Sequence, residues 1–370
     1  MRAKRNANLD LLRILSMVMV VILHTLGFGG LIEKALVPGT FNYYVCNIVY
    51  AFSFVAVNCF VVNSGYFLCT SGFKLKRLVQ IWGVALFFSI AVYLVLVGIG
   101  ACSFSTGEFL RTIMVMTTKR YWFVTAYLLL YMTFPFLNYA IKAMDQKAHL
   151  TCCIAMLAIF SVLSNVVFIT DFSGISGGYS FLWFCILYIT AAYFRLYVPE
   201  RIKHQKMMLP GYCIAAFVIC LERFVAYYIT PLIFGEVHLT SLFYSYNSVF
   251  VVAATLCLFQ FFRGIDLKEG KISKGIVRIA PLTFTVYLIH DHETFRAVLW
   301  DWLNPAAYHD KIWLIGYVLA CIVLIFTVCC IVEWLRGMLV RKLGISAAVE
   351  KWCDRIQTHA DKMISGLLKS

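Results

Sequence analysis

Ten apolar runs, each about as long as a bilayer is thick, dominate this chain. They cover roughly residues 11–30, 44–68, 78–100, 121–141, 148–170, 180–198, 207–230, 240–262, 279–299 and 312–335. About 20 consecutive apolar residues let a helix cross the hydrocarbon core. Lipid offers backbone N–H and C=O groups no partners, so such runs must satisfy them internally as helices. The predicted fold is therefore all-α, a polytopic integral membrane bundle of about ten transmembrane helices. With 62% hydrophobic and only 14% charged residues, no soluble globular class fits. One membrane domain is expected over residues 1–340, and residues 341–370 form a separate tail.

The placement of the cations orients the bundle. Of the 32 lysines and arginines, 25 fall in segments that share a side with the N-terminus. Six lie on the other side (Lys34, Arg111, Lys119, Arg120, Arg296 and Lys311), and Arg223 falls within a span. The positive-inside rule then predicts both termini to be cytoplasmic. It also accounts for the net charge of +14 without nucleic acid, because the charge sits in loops that meet anionic lipids or cofactors. Arg2, Lys4 and Arg5 precede the first run as in a signal peptide. No A-x-A-like cleavage site follows, so a retained first span is expected. Fourteen cysteines show neither CxxC nor a recurring Cys/His spacing; small apolar roles are expected, and no metal site. In the tail, Ile345, Val349, Trp352, Ile356, Met363 and Leu367 recur at helical spacing among charged residues, which predicts an amphipathic helix on the inner leaflet.

The first span, within NLDLLRILSMVMVVILHTLGFGG, carries ionisable groups into the membrane. Eleven residues separate Arg13 from His24, about three helical turns, so both project from one face roughly 16 Å apart. Asp10 falls close to the same face. Arg13 alone fits a snorkelling anchor at the membrane edge; His24, deeper in, has no water to reach and points to a site. The ninth run, APLTFTVYLIHDHETF, places Tyr287 and His290 on one face. Counted from the inner edges, His24 is roughly 20 Å and His290 roughly 16 Å deep, in the central to outer bilayer. Asn58, Asn63 and Ser64 in the second run suit interhelical hydrogen bonds or a cavity wall, and Gly65 suits close helix approach. Glu222 and Arg223 read as a self-neutralising pair, and Trp122 as an aromatic-belt residue. On the inner side, Arg13, Lys74, Lys76, Arg77 and Arg278 form a rim of five cations. Such a rim can hold a phosphate-bearing ligand, although the positive-inside rule alone explains a short basic loop.

Five motifs occur in order: Arg13-x10-His24, VNCFVVNSGYFL, the basic SGFKLKRL loop, WFVTAYLLLYMTFPFLN and TFTVYLIH. Over roughly residues 6–340 the chain thus resembles the membrane-bound acyltransferase-3 family. That family includes O-antigen and other glycan O-acetyltransferases and the membrane domain of some serine racemases. The resemblance implies ten spans, acetyl-CoA taken from the cytoplasm as acyl donor, and an extracytoplasmic glycan or lipid-linked sugar as acceptor. On it, His24 is the catalytic histidine, with Arg13 its partner. Arg77 matches the first arginine of an Arg-x-x-Arg element implicated in donor handling. The second position is Gln80, which leaves Lys74 or Lys76 to supply the missing charge. His290 sits in the Tyr-Leu-x-His element. The implied mechanism rests the CoA phosphates on the inner cations and runs the pantetheine arm from Arg13 to His24. His24 then acts as general base or as a transient acyl carrier. Asp10 orients Arg13, and His290 or Tyr287 positions the acceptor. A transporter or flippase without covalent chemistry is the alternative, although the sequence shows no pair of Gly/Pro-interrupted helices in matching halves. The acceptor, the acyl chain length and the oligomeric state stay open.

Overall fold

A computed structural model describes residues 6–118, 120–167, 174–235 and 243–367, with side chains as far as residue 363 except at 166 and 167. Arg2, Lys4, Arg5, Lys119, the end of the fifth run (168–170), the start of the eighth (240–242) and the Leu367 side chain lie outside the described residues. Among those described there are helices and no strand. Asn6 starts α1 (Ala7–Gly27), its side chain accepting from the N–H groups of Asn8 and Leu9, which relieves two of the orphan donors at a helix start. Next come α2 (Phe41–Ser53), α3 (Ala56–Leu68), α4 (Leu75–Gly98), α5 (Thr106–Ile113), α6 (Trp122–Lys142) and α7 (Gln146–Leu157), the last prolonged by a π-helical stretch. The second half holds α8 (Phe181–Tyr197), α9 (Met208–Tyr228), α10 (Thr230–Phe234), α11 (Val249–Gly264), α12 (Lys271–Ile279) and α13 (Thr283–His290). It ends with α14 (Glu293–Leu303), α15 (Leu314–Lys342) and α16 (Ile345–Leu367).

Among the described residues, eight continuous or interrupted helices are long and apolar enough to cross a membrane, and α8 and α11 are apolar but shorter, with 17 and 16 residues. The ten apolar runs thus all return as helices, in a polytopic bundle. Several spans are interrupted among the described residues, two of them beside the cavity that α1 helps to line. The α2–α3 span breaks at Phe54 and Val55, and the α12–α13 span breaks at a short 3-10 turn containing Pro281.

The ninth span also needs correcting. It runs Lys271–His290 rather than 279–299. The chain leaves the helix at Asp291 and His292, and His292 accepts from the Phe295 N–H to cap α14. At 1.5 Å per residue, His290 then lies roughly 28 Å from the start of its span and His24 roughly 26 Å from the start of α1. The two are level, and nearer the far end of the bundle than the run edges imply.

Polar groups tie the core, because in lipid each must find a protein partner. Asn63 donates to the Leu9 carbonyl and Asn58 to that of Tyr246, while the Trp183 indole donates to the Asn58 side-chain oxygen. Gly65 lets α3 and α8 touch. A Cβ at that position would sit 3.1 Å from Tyr188 Cα and 3.0 Å from Ala191 Cβ. Gly65→Val is therefore expected to lower the thermal midpoint of the solubilised protein by several degrees, since overpacking costs about 1–3 kcal/mol. An unchanged midpoint in a melting scan would show that the helices can separate freely. Glu222 and Arg223 diverge, as successive helix positions must. Glu222 accepts from the Phe243 N–H at 2.6 Å, whereas Arg223 lies over the rings of Tyr50 and Tyr244.

Candidate active site

Along α1, Arg13, Met17, Val20, His24 and Gly27 recur at three- and four-residue steps, and this stripe forms one wall of a cavity of about 540 Å³. The α2–α3 and α12–α13 interruptions border it, through Phe54 on one side and Ala280 and Pro281 on the other. Arg13, Arg77 and Ser64 belong to the basic end, where α1 and α4 begin and α3 ends. Between the ends the wall is apolar, with Val57, Phe60, Phe123 and Phe284. At the far end stand His24, Asp291 and Arg296, with Glu33 and the aromatic rings of Tyr50, Trp122, Tyr179 and Tyr246. Trp122 is therefore a wall residue, its ring 4.6 Å from that of Tyr179 and 6.0 Å from that of Tyr246.

The two histidines meet. His24 Nδ1 lies 2.9 Å from His290 Nε2, and His290 Nδ1 lies 2.5 Å from the Val286 carbonyl oxygen. A carbonyl oxygen only accepts, so His290 must carry its proton on Nδ1. Neutral His290 then accepts at Nε2, which obliges His24 to donate from Nδ1. This leaves the lone pair of neutral His24 on Nε2, the nitrogen free of that bond. His290 is almost fully buried, whereas the His24 side chain is 19% exposed and lines the cavity. The pair thus has a defined order: a backbone carbonyl fixes His290, His290 fixes His24, and His24 presents a base.

Asp291 completes the group. Its Oδ1 lies 3.7 Å from His24 Nδ1 and 3.1 Å from Arg296 Nη1. The Arg296 guanidinium also covers the Phe28 ring at 4.4 Å, and that ring packs on His24 at 4.8 Å. A proton taken by His24 Nε2 makes an imidazolium next to a buried carboxylate, which stabilises it. Tyr287 lines the same cavity, and its buried hydroxyl makes no hydrogen bond among the described residues.

The chain matches the acyltransferase-3 model, described as an acyltransferase domain, over residues 6–334. It belongs to that family. No curated protein and no solved structure matches it. The protein is a membrane acyltransferase, and the remaining residues expected at its site fall into two groups. Arg13, Arg77, His24 and Tyr287 share the cavity. Asp10 stands behind it, its Oδ1 3.4 Å from Arg13 Nη1, in position to orient that arginine.

Lys74, Lys76 and Arg278 do not line this cavity. Lys74 occupies the position before α4, where its backbone N–H and carbonyl meet the Tyr131 hydroxyl. Lys76 pairs with Glu350 of α16. Arg278 borders a separate surface hollow beside Asn8, Asp266 and Glu269. Inside the cavity Arg77 is accompanied by Arg13, from another helix. Sequence reasoning missed Asp291 and used Arg296 only to set topology. The signal for Asp291 was an acid directly after His290 at the end of an apolar run.

Proposed function

We propose that this acyltransferase moves an acetyl group from acetyl-CoA, bound at the basic end, to a hydroxyl of a cell-surface glycan or lipid-linked sugar at the far end. The lysine and arginine distribution supports placing the basic end and both termini in the cytoplasm. One observation carries the proposal: a single cavity holds Arg13 and Arg77 at one end and His24 at the other, roughly 16 Å apart along α1. A pantetheine arm is of comparable length. Phosphates held by two arginines would therefore leave the thioester beside His24. With donor entering from one end and acceptor from the other, the two would meet at His24, which favours direct transfer.

In that mechanism His24 Nε2 takes the proton of the acceptor hydroxyl, and the oxygen attacks the thioester carbonyl carbon. The tetrahedral intermediate collapses, the C–S bond breaks, and the CoA sulfur leaves with the proton from His24. Asp291 offsets the transient imidazolium. Tyr287 donates its unused hydroxyl hydrogen bond to the developing oxyanion. Arg13→Ala and Arg77→Ala are each expected to raise the KM for acetyl-CoA roughly 10- to 100-fold, with a smaller effect on kcat. The assay supplies radiolabelled acetyl-CoA to membranes and counts label on surface glycan. Unaltered KM in both variants would remove the basic end from donor binding.

The interrupted spans bordering the cavity favour a second reading, a transporter or flippase of an anionic or glycan substrate. The same assay separates the two, because transport alone leaves no label on glycan.

A further inference from the structure

Helix α16 lies beyond the residues shared with the family, which end at 334. After α15 the chain reverses at Gly344, whose φ of 70° favours glycine. It then runs back along the start of α4. The expected apolar stripe of α16 does not face the bundle: Ile345, Trp352, Ile356 and Met363 are all exposed. What docks is a different face, carrying Glu350, Cys353 and Gln357 at steps of three and four. Cys353 is buried, Glu350 pairs with Lys76, and Gln357 reaches the backbone of the basic loop. Its side-chain oxygen accepts from the Leu75 N–H at 3.1 Å, and its side-chain nitrogen donates to the Phe73 carbonyl at 3.2 Å.

Those contacts meet a specific need of α4. Its N-cap is Lys74, which has no acceptor to offer and makes no side-chain cap bond. Lys74, Lys76 and Arg77 also crowd cations onto the positive end of the helix dipole, an unfavourable arrangement without a nearby anion. From its own sequence this helix start is poorly fixed, yet it carries Arg77 into the cavity. Two outside groups hold it: the Tyr131 hydroxyl from α6 on Lys74, and Gln357 from α16 on Phe73 and Leu75.

We propose that α16 is a strap that sets the donor-binding end of the cavity, with Gln357 the positioning residue that caps α4 and thereby places Arg77. The inference rests on Arg77 binding the anionic donor. The strap lies with its apolar stripe in the bilayer surface and its polar edge on the loop, so membrane attachment and donor binding act on one element.

The test is titration of the full-length, detergent-purified protein with CoA, for wild type, Gln357→Ala, Arg77→Ala and the double variant. Gln357→Ala is expected to weaken CoA binding roughly fivefold, the scale of a lost helix cap. In the Arg77→Ala background the same change is expected to have little effect, because coupled residues are non-additive. Glu350→Gln, which leaves the Gln357 cap intact, is expected to preserve this Arg77 dependence. Wild-type affinity in Gln357→Ala, with Arg77→Ala still weakened, overturns the strap and leaves the donor reading standing. Equal weakening by Gln357→Ala with and without Arg77 also overturns it, as general destabilisation. CoA binding that is absent, or indifferent to Arg77, overturns the donor reading and the strap together.

Discussion

His24→Ala is expected to lower kcat for acetyl transfer roughly 10³- to 10⁴-fold, the upper range for loss of a positioned general base. The variant should still insert and lose no more than a few degrees of thermal midpoint, because His24 lines the cavity and is only partly buried. Its loss leaves one acceptor, His290 Nε2, without its donor, a local cost of about 1–3 kcal/mol. Acetyl transfer at a wild-type rate in this variant would remove His24 from the chemistry. The same preparation decides between base and acyl carrier. Wild-type protein given radiolabelled acetyl-CoA without acceptor should hold no label after quenching. One label per chain, lost in His24→Ala, would instead make His24 the acyl carrier.

His290→Leu is expected to cost roughly 10²-fold in kcat with little change in either KM, although His290 lies behind His24 rather than on the cavity wall. Leucine fills a similar volume but accepts no hydrogen bond. His24 Nδ1 then loses the partner that fixes the tautomer, and the Asp291 carboxylate at 3.7 Å is the alternative acceptor. That turns the ring and misdirects Nε2. Gln, whose side-chain oxygen can accept from His24 Nδ1, should recover a large part of the loss. The pattern expected from steady-state kinetics is a kcat defect restored by Gln and not by Leu. Equal defects in both, with a lowered thermal midpoint, would mean that His290 is a packing residue only. Asp291→Asn tests the neighbouring carboxylate by the same logic, as the imidazolium loses its counter-charge.

Much of the architecture was legible in the sequence because lipid leaves the backbone so little choice. Each apolar run had to be a helix, and the Arg13–His24 spacing put both side chains on one stripe. That stripe is the cavity wall. Depth along the ninth span was misread because apolar residues continue past Asp291 into α14. Hydropathy does not register a turn made by polar backbone capping. The rim of five cations was read as a unit because loops near one membrane face look equivalent in sequence. Side-chain direction separates them, sending Arg77 into the cavity and Lys76 to Glu350.

By itself the sequence determined an all-helical membrane fold and the stripe that joins a cation to a histidine. Its order of motifs determined the family. These properties follow from local periodicity and from the cost of unpaired backbone in lipid. Only the tertiary structure decided that His290 touches His24, and that Asp291 and Arg296 flank the pair. It also decided that Gln357 caps a helix start 282 residues earlier in the chain. Contacts between groups so distant in sequence depend on how whole helices pack and where each one breaks. Neither is written in any single segment.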